Sequence, residues 1–247
     1  MIDRGSLLGA SLLFATELII LYSAGSYAMG RLMGIFGGGA SALGRMAFYL
    51  LVFPGVVLHE GAHYLACLLT GTRVSHFAPF SPRRSNDGRL VLGYVRHERR
   101  ALPIGAIIGL APILLNPLGL LFVTALLTPL TLEEVASPSA GAVVEGIFTS
   151  GFLTRTPLLA AIWAYLSLSF ALGSVPSRED LSTLPVVLLV FGVGILSSAL
   201  LRVGTEDVLS SAIGDLSTLA AGLYALPATT AAVAALMATG LGARTIR

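Results

Sequence analysis

The sequence predicts an all-α polytopic membrane protein with about six transmembrane helices and a small cytoplasmic-side β-hairpin after the second helix. Of the 247 residues, 55% are hydrophobic and 11% are charged, and the mean hydropathy is +0.87. Because soluble domains carry about 25% charged residues, this composition indicates a chain embedded in a lipid bilayer. The single cysteine excludes a disulfide framework, and no basic-aromatic patch favours nucleic acid as a partner.

A membrane-spanning helix needs about 20 mostly apolar residues. Six segments approach or exceed that length, and they are 6–29, 46–70, 101–127, 156–174, 182–201 and 215–240. We expect the first to be a retained span, because its apolar run is longer than the core of a signal peptide, although Ser26-Tyr27-Ala28 would suit cleavage. No internal repeat or low-complexity linker divides the chain, so residues 1–247 are expected to form a single domain.

Proline should interrupt two of these helices. The second segment contains Pro54 beside Gly55, and the third contains Pro103, Pro112 and Pro117. Proline lacks an N–H and disturbs a helix interior. Broken helices are tolerated at membrane depth where they line a protein-walled or wet cavity.

The arginines predict the orientation of the chain. All fifteen basic residues are arginine, and seven of them lie between the second and third spans, at Arg73, Arg83, Arg84, Arg89, Arg96, Arg99 and Arg100. Placing this segment in the cytoplasm puts eleven arginines inside and four outside, as the positive-inside rule requires. Both termini are then cytoplasmic.

The same arginine-rich segment should form the β-hairpin. Residues 73–80 and 89–96 flank "SPRRSNDG", a cluster of turn-forming residues. An exposed strand edge can bind an extended peptide by adding it to the sheet. The alternative is a loop whose arginines fix orientation and contact anionic lipid.

A metal-binding pattern lies inside the second span. His59 and His63 are four residues apart, so a helix places both rings on one face, where they can bind one Zn²⁺. Glu60 lies beside them and can take a proton from water that the metal activates. Three ionisable groups in one apolar span are costly unless they have a function.

A catalytic zinc usually has three protein ligands, and the third is expected to come from another helix. Ala66 and Leu69 occupy the positions where an extended zincin pattern has glycine and histidine. The stretch "GSVPSREDL" at 173–181 offers Asp180 as third ligand and Glu179 as runner-up, although Asp180 could instead cap the next helix.

These motifs together resemble the site-2 protease family of intramembrane zinc metalloproteases. The resemblance covers residues 46–181, where an Asn in the proline-containing third span and the Pro-Asp segment after the fourth accompany His59-Glu60-x-x-His63. It implies Zn²⁺ as cofactor, with Glu60 and Asn116 as catalytic residues. Asn116 would hold the substrate carbonyl or stabilise the oxyanion, or it could simply link two helices by a hydrogen bond.

The resemblance further implies hydrolysis of a peptide bond within or near the transmembrane segment of a single-span membrane-protein substrate, in a prokaryotic cell membrane. The alternative is a catalytically inactive zinc-binding membrane protein that acts as a regulator or binding partner. It is supported by Gly173-Ser174-Val175-Pro176, which stands where the family has Asn-x-x-Pro. Cys67 is expected to pack in the core, and His76 and His97 to be solvated. The residues leave open the substrate's identity, the oligomeric state and the role of Glu17.

Overall fold

The computed structural model describes residues 4–37, 41–85, 90–137, 139–177, 180 and 206–244. These residues are mostly helical. The helices are α1 (Arg4–Gly37), α2 (Ala42–Leu69), α3 (Leu102–Leu127), α4 (Leu132–Val135), α5 (Ala140–Thr149), α6 (Phe152–Arg155), α7 (Pro157–Gly173) and α8 (Glu206–Arg244). Four short strands lie between α2 and α3: β1 (Val74–Ala78), β2 (Arg83–Arg84), β3 (Leu90–Val91) and β4 (Tyr94–His97).

Four of the described helices contain segments long and apolar enough to cross a membrane, which confirms the predicted class. These segments are Ala15–Phe36, Ala42–Leu69, Leu102–Leu127 and Ala220–Gly240. The fourth predicted span corresponds to α7, which is apolar but has only 17 residues. The fifth, 182–201, lies outside the described residues. Among the residues that the structure describes, four helices are long and apolar enough to span a membrane, and the expected count of six stays a prediction.

The predicted hairpin is confirmed as a small antiparallel sheet. β1 pairs with β4, with Val74 opposite His97 and Ala78 opposite Tyr94. β2 pairs with β3. The turn at 86–89 lies outside the described residues. Tyr64 of α2 stacks on Phe77 of β1 with ring centroids 4.5 Å apart, which holds the sheet against the end of α2.

The expected interruption of α2 and α3 by proline is wrong, because each runs as one helix with its prolines inside. A proline at position i leaves the carbonyl of residue i−4 without its helical donor. Pro54 leaves the carbonyl of Leu50 without a helical donor, and this carbonyl accepts a 2.7 Å hydrogen bond from the hydroxyl of Tyr165 on α7. A donor from a second helix thus replaces the bond that proline removes.

The same replacement occurs in α3. Pro117 frees the carbonyl of Ile113, which accepts a 2.6 Å hydrogen bond from the hydroxyl of Tyr224 on α8. A buried carbonyl without a donor would cost about 1–3 kcal/mol. These tyrosines therefore allow helices with internal prolines to stay continuous and link them to their neighbours.

Helices α2, α3 and α7 pack against one another as a three-helix group. Helices α2 and α7 approach closely where the N–H of Gly55 donates to the Ser169 hydroxyl at 2.8 Å. A side chain on Gly55 would overlap the backbone of Ser169, and one on Gly173 would overlap the Gly55 carbonyl. Two glycines therefore bring the backbones of α2 and α7 into contact.

Helices α1 and α8 pack along each other and contact this three-helix group. Their interface buries small and aliphatic side chains, among them Leu21, Ala28, Ala228, Ala231, Ala234 and Ala238. Glu17 of α1 is also buried, and its Oε2 has no hydrogen-bond partner within the part of the chain that the structure describes.

Candidate metal centre

Two largely buried histidine rings of α2 face the same direction. His59 and His63 are one helical turn apart, and their ring centroids are separated by 5.0 Å. Their side chains are only 12% and 13% exposed. The predicted pairing of these residues on one helix face is therefore present in the structure.

Asp180 meets both rings from a different part of the chain. Its Oδ2 lies 3.4 Å from His59 Nε2, and its Oδ1 lies 3.1 Å from His63 Nε2. Each carboxylate oxygen is close enough to a ring nitrogen to accept a hydrogen bond from a protonated ring, or to share a bound cation with a neutral one. Asp180 is buried, so water has little access to this group.

Asp180 also takes part in the capping interaction that the sequence offered as an alternative. Its Oδ2 accepts a 2.7 Å hydrogen bond from the N–H of Ser177, and its own N–H donates to the Ser177 hydroxyl at 3.2 Å. This reciprocal pair is a capping-box arrangement. The two roles do not compete here, because the cap holds the carboxylate in place beside the histidines.

Backbone carbonyls determine which nitrogen of each ring faces Asp180. His59 Nδ1 lies 2.8 Å from the carbonyl oxygen of Gly173, and His63 Nδ1 lies 2.8 Å from that of Ile108. A carbonyl can only accept a hydrogen bond, so each Nδ1 must carry the proton that it donates. In a neutral ring the Nε2 then presents a lone pair.

The consequence is an electron-rich centre. Two Nε2 lone pairs and one carboxylate converge, and they repel one another unless a cation lies between them. Added protons or a metal ion could supply that positive charge. Orientation of ligating histidines by carbonyls behind them is typical of metal sites.

The dimensions of the group suit a small divalent ion. The candidate ligand atoms of His59, His63 and Asp180 all lie within 4.8 Å of one another. A tetrahedral ion with bonds of about 2.0–2.1 Å has ligand–ligand distances of about 3.3–3.4 Å, close to the two nitrogen–oxygen distances above. Three protein ligands would leave a fourth position open. The three residues could therefore hold a metal ion.

Glu60 lies between the histidine pair and the sheet. It follows His59 in α2 and is half-buried. A side chain on Gly93, just before β4, would lie 2.6 Å from Glu60 Cγ and 2.7 Å from the carbonyl oxygen of Pro79. The missing side chain at Gly93 therefore gives Glu60 its space under the sheet.

Asn116 lies behind the centre and is fully buried. Its Nδ2 donates to the carbonyl of Pro112 at 3.4 Å. Its Oδ1 lies near Gly173, and the carbonyl of Gly173 accepts the hydrogen bond from His59 Nδ1. Its Oδ1 has no hydrogen-bond partner among the described residues. A Cβ added at Gly173 would lie 2.8 Å from Asn116 Oδ1, so the glycine leaves room for this amide. The catalytic role expected for Asn116 remains a prediction.

The other candidates lie away from the histidine pair or outside the described residues. Cys67 is fully buried in an apolar cluster with Ala62 and Ile108. His76 and His97 are exposed on β1 and β4. Glu179, the runner-up for third ligand, is outside the described residues. Sequence reasoning missed the carbonyls of Gly173 and Ile108, although proline four residues after Ile108 was a usable signal.

The fold and the site together define a mostly helical chain with helices of membrane-spanning type and a largely buried His-His-Asp group that could hold a metal ion. Comparisons with protein-family models, with curated proteins and with solved structures each give no match.

Proposed function

We propose that this protein is an intramembrane zinc metalloprotease of the site-2 type. It would cleave a peptide bond within or near the transmembrane segment of a single-span membrane-protein substrate. The observation that carries the proposal is the position of Asp180, whose carboxylate comes from beyond α7 and meets both histidines of the His-Glu-x-x-His helix. The sequence motif alone did not require that meeting.

The proposed ligands are His59, His63 and Asp180. Bound there, Zn²⁺ would supply Lewis acidity to a water molecule and to the substrate carbonyl. Glu60 takes a proton from the attacking water molecule while the oxygen of that water bonds to the substrate's carbonyl carbon. It then passes that proton to the amide nitrogen as the carbon–nitrogen bond breaks. Burial of the centre favours this chemistry, because electrostatic interactions are stronger where water is scarce.

The location of the centre explains why a hydrolytic site would lie within apolar helices. A transmembrane substrate carries its peptide bonds inside the bilayer, so the reacting groups must be there too. His59 and His63 lie about two to three turns before the end of α2, which is roughly 10–15 Å along the axis. With the arginine-rich segment in the cytoplasm, water would enter from that side of a prokaryotic cell membrane.

The small sheet is the proposed site for unwinding the substrate. A helical segment hides its peptide carbonyls until it becomes extended, and a strand edge can hold an extended segment by backbone hydrogen bonds. The β1–β4 sheet adjoins Glu60 through Gly93, so a peptide added to it would lie near the proposed base. Contacts of its arginines with anionic lipid are compatible with this role.

The first test is metal content. Purified wild-type protein should contain one zinc ion per chain, and His59→Ala and Asp180→Ala should each lose most of it, because two remaining ligands bind weakly. Elemental analysis of detergent-purified protein gives the stoichiometry, with Glu133→Gln on exposed α4 as a control that changes a remote carboxyl. Full zinc content in Asp180→Ala would contradict the proposed ligand set.

The second test separates a protease from an inactive zinc protein. Glu60→Gln should keep its zinc and lose cleavage of a single-span substrate by about 10²–10⁴-fold, the usual contribution of general acid–base catalysis. Glu133→Gln should cleave at the wild-type rate. Cleavage by Glu60→Gln at that same rate would exclude Glu60 as the base. If zinc-loaded wild type cleaves none of a broad panel of substrates, the regulatory alternative is favoured.

A further inference from the structure

The backbone carbonyl that accepts a hydrogen bond from His63 belongs to Ile108, and it lacks its usual helical donor because of Pro112. In α3, the N–H of residue 112 would normally donate to the carbonyl of Ile108, but residue 112 is proline and has no N–H. The imidazole of His63, on α2, lies 2.8 Å from this oxygen through Nδ1. The helical bond removed by Pro112 is thus replaced by one from a candidate metal ligand.

Burial leaves the Ile108 carbonyl dependent on a donor from the protein rather than from water. Ile108 is 1% exposed, and Pro112 is among the fully buried side chains, so water has little access to the oxygen between them. A buried carbonyl needs a donor, and among the described residues Nδ1 of His63 is that donor. An N–H at position 112 would satisfy the carbonyl within α3 and weaken its hold on the ring.

We propose that Pro112 is a positioning residue for the metal centre. By keeping the Ile108 carbonyl free, it holds the proton of His63 on Nδ1 and directs Nε2 toward Asp180. The inference rests on the proposed metal centre and adds a residue that contacts neither metal nor substrate. Partners of this kind behind a ligating histidine typically contribute about 10–100-fold to metal affinity or activity.

The chain offers a matched control in the same helix. Pro117 is also fully buried in α3, and it also frees a carbonyl, that of Ile113. That carbonyl accepts from the Tyr224 hydroxyl rather than from a candidate ligand. Pro112→Ala and Pro117→Ala therefore make the same chemical change five residues apart, and only the first restores a donor beside the metal centre.

The experiment compares the zinc affinity of wild type, Pro112→Ala and Pro117→Ala by competition with a chelating dye. Pro112→Ala should bind about tenfold more weakly than wild type, whereas Pro117→Ala should bind within about twofold of it. The Co²⁺-loaded proteins supply a second readout, because the visible absorption bands report ligand geometry. The bands should change in Pro112→Ala and stay unchanged in Pro117→Ala.

Pro112→Gly guards against an effect of helix propensity, because it restores the same N–H with a residue that disfavours helix. Weaker binding in both Pro112 variants supports the inference. Equal affinity and equal cobalt spectra in wild type, Pro112→Ala and Pro117→Ala would overturn it and leave the metal centre intact. Absence of metal binding by wild type would instead refute the proposed function, and this inference with it.

Discussion

The α2–α7 crossing and the α1–α8 pair are packed by different means. At the first, Gly55 and Gly173 let two backbones touch, and the Gly55 N–H bonds across to Ser169. At the second, alanine and leucine side chains fill the space between the helices. Small residues occur at both, but only the α2–α7 crossing places backbone polar groups of one helix within reach of the other.

This difference follows from what each region must hold. His59 of α2 uses a backbone carbonyl of α7, at Gly173, as its acceptor, so the two helices must approach to backbone distance. The α1–α8 pair carries none of the proposed ligands and needs only apolar contact. Close helix crossings built on small residues are common in membrane proteins, and the α2–α7 crossing lies beside the candidate metal centre.

The largest expected effect comes from filling that crossing. Gly55→Ala places a methyl group where the Ser169 backbone lies, which forces α2 and α7 apart and moves the Gly173 carbonyl away from His59. Overpacking of this kind costs about 1–3 kcal/mol, occasionally more. We expect a lower thermal midpoint in detergent and loss of most bound zinc, measured by calorimetry or fluorescence and by elemental analysis.

Gly30→Ala on α1 is the control for this change. An added Cβ at Gly30 meets nothing within 4 Å, and alanine favours a helix over glycine by about 1 kcal/mol. Its zinc content should equal that of wild type, and its stability should be equal or higher. Wild-type zinc content in Gly55→Ala would show that the centre does not depend on this crossing.

A smaller effect is expected where the sheet covers Glu60. Gly93→Ala would press a methyl group against Glu60 Cγ and the Pro79 carbonyl. It should displace the proposed base while the three ligands stay in place. We expect full zinc content with cleavage reduced by about tenfold or more, since general-base catalysis is sensitive to hydrogen-bond distance.

The control for the sheet is Gly105→Ala, because an added Cβ there makes only an ordinary contact with Arg100. It should retain wild-type cleavage. If Gly93→Ala cleaves as fast as Gly105→Ala, the sheet does not constrain Glu60.

Two of the membrane helices could be predicted closely because hydropathy is a local property of the chain. The predicted spans 46–70 and 101–127 differ by a few residues from Ala42–Leu69 and Leu102–Leu127. The pairing of His59 with His63 was also predictable, since helical spacing alone brings them together. Asp180 required an argument about membrane sides, and the structure places it beside both rings.

The contacts around the ligands could not be predicted in this way. Pro54, Pro112 and Pro117 predicted broken helices, because a local rule counts the bond that proline removes and cannot see a donor on another helix. The structure supplies Tyr165, His63 and Tyr224 as those donors. Pro112 indicates in the sequence that the Ile108 carbonyl lacks its helical donor, but which side chain replaces that donor depends on tertiary packing. The role of the Gly173 carbonyl depends on tertiary packing alone.

The smallest expected effect on the metal centre comes from the α1–α8 pair. Ala231 is fully buried in the cluster with Leu21, Tyr224 and Ala228, so Ala231→Leu should lower stability by about 1–3 kcal/mol through overpacking. Val233→Leu, at a position 49% exposed on the same helix, should change stability little. Zinc content and zinc affinity should match wild type in both, because none of the proposed ligands or their carbonyl acceptors lies on α1 or α8.

A loss of zinc in Ala231→Leu that exceeds its loss of folded protein would mean that the α1–α8 pair supports the candidate metal centre directly. The contrast between side-chain and backbone packing would then no longer separate the two regions.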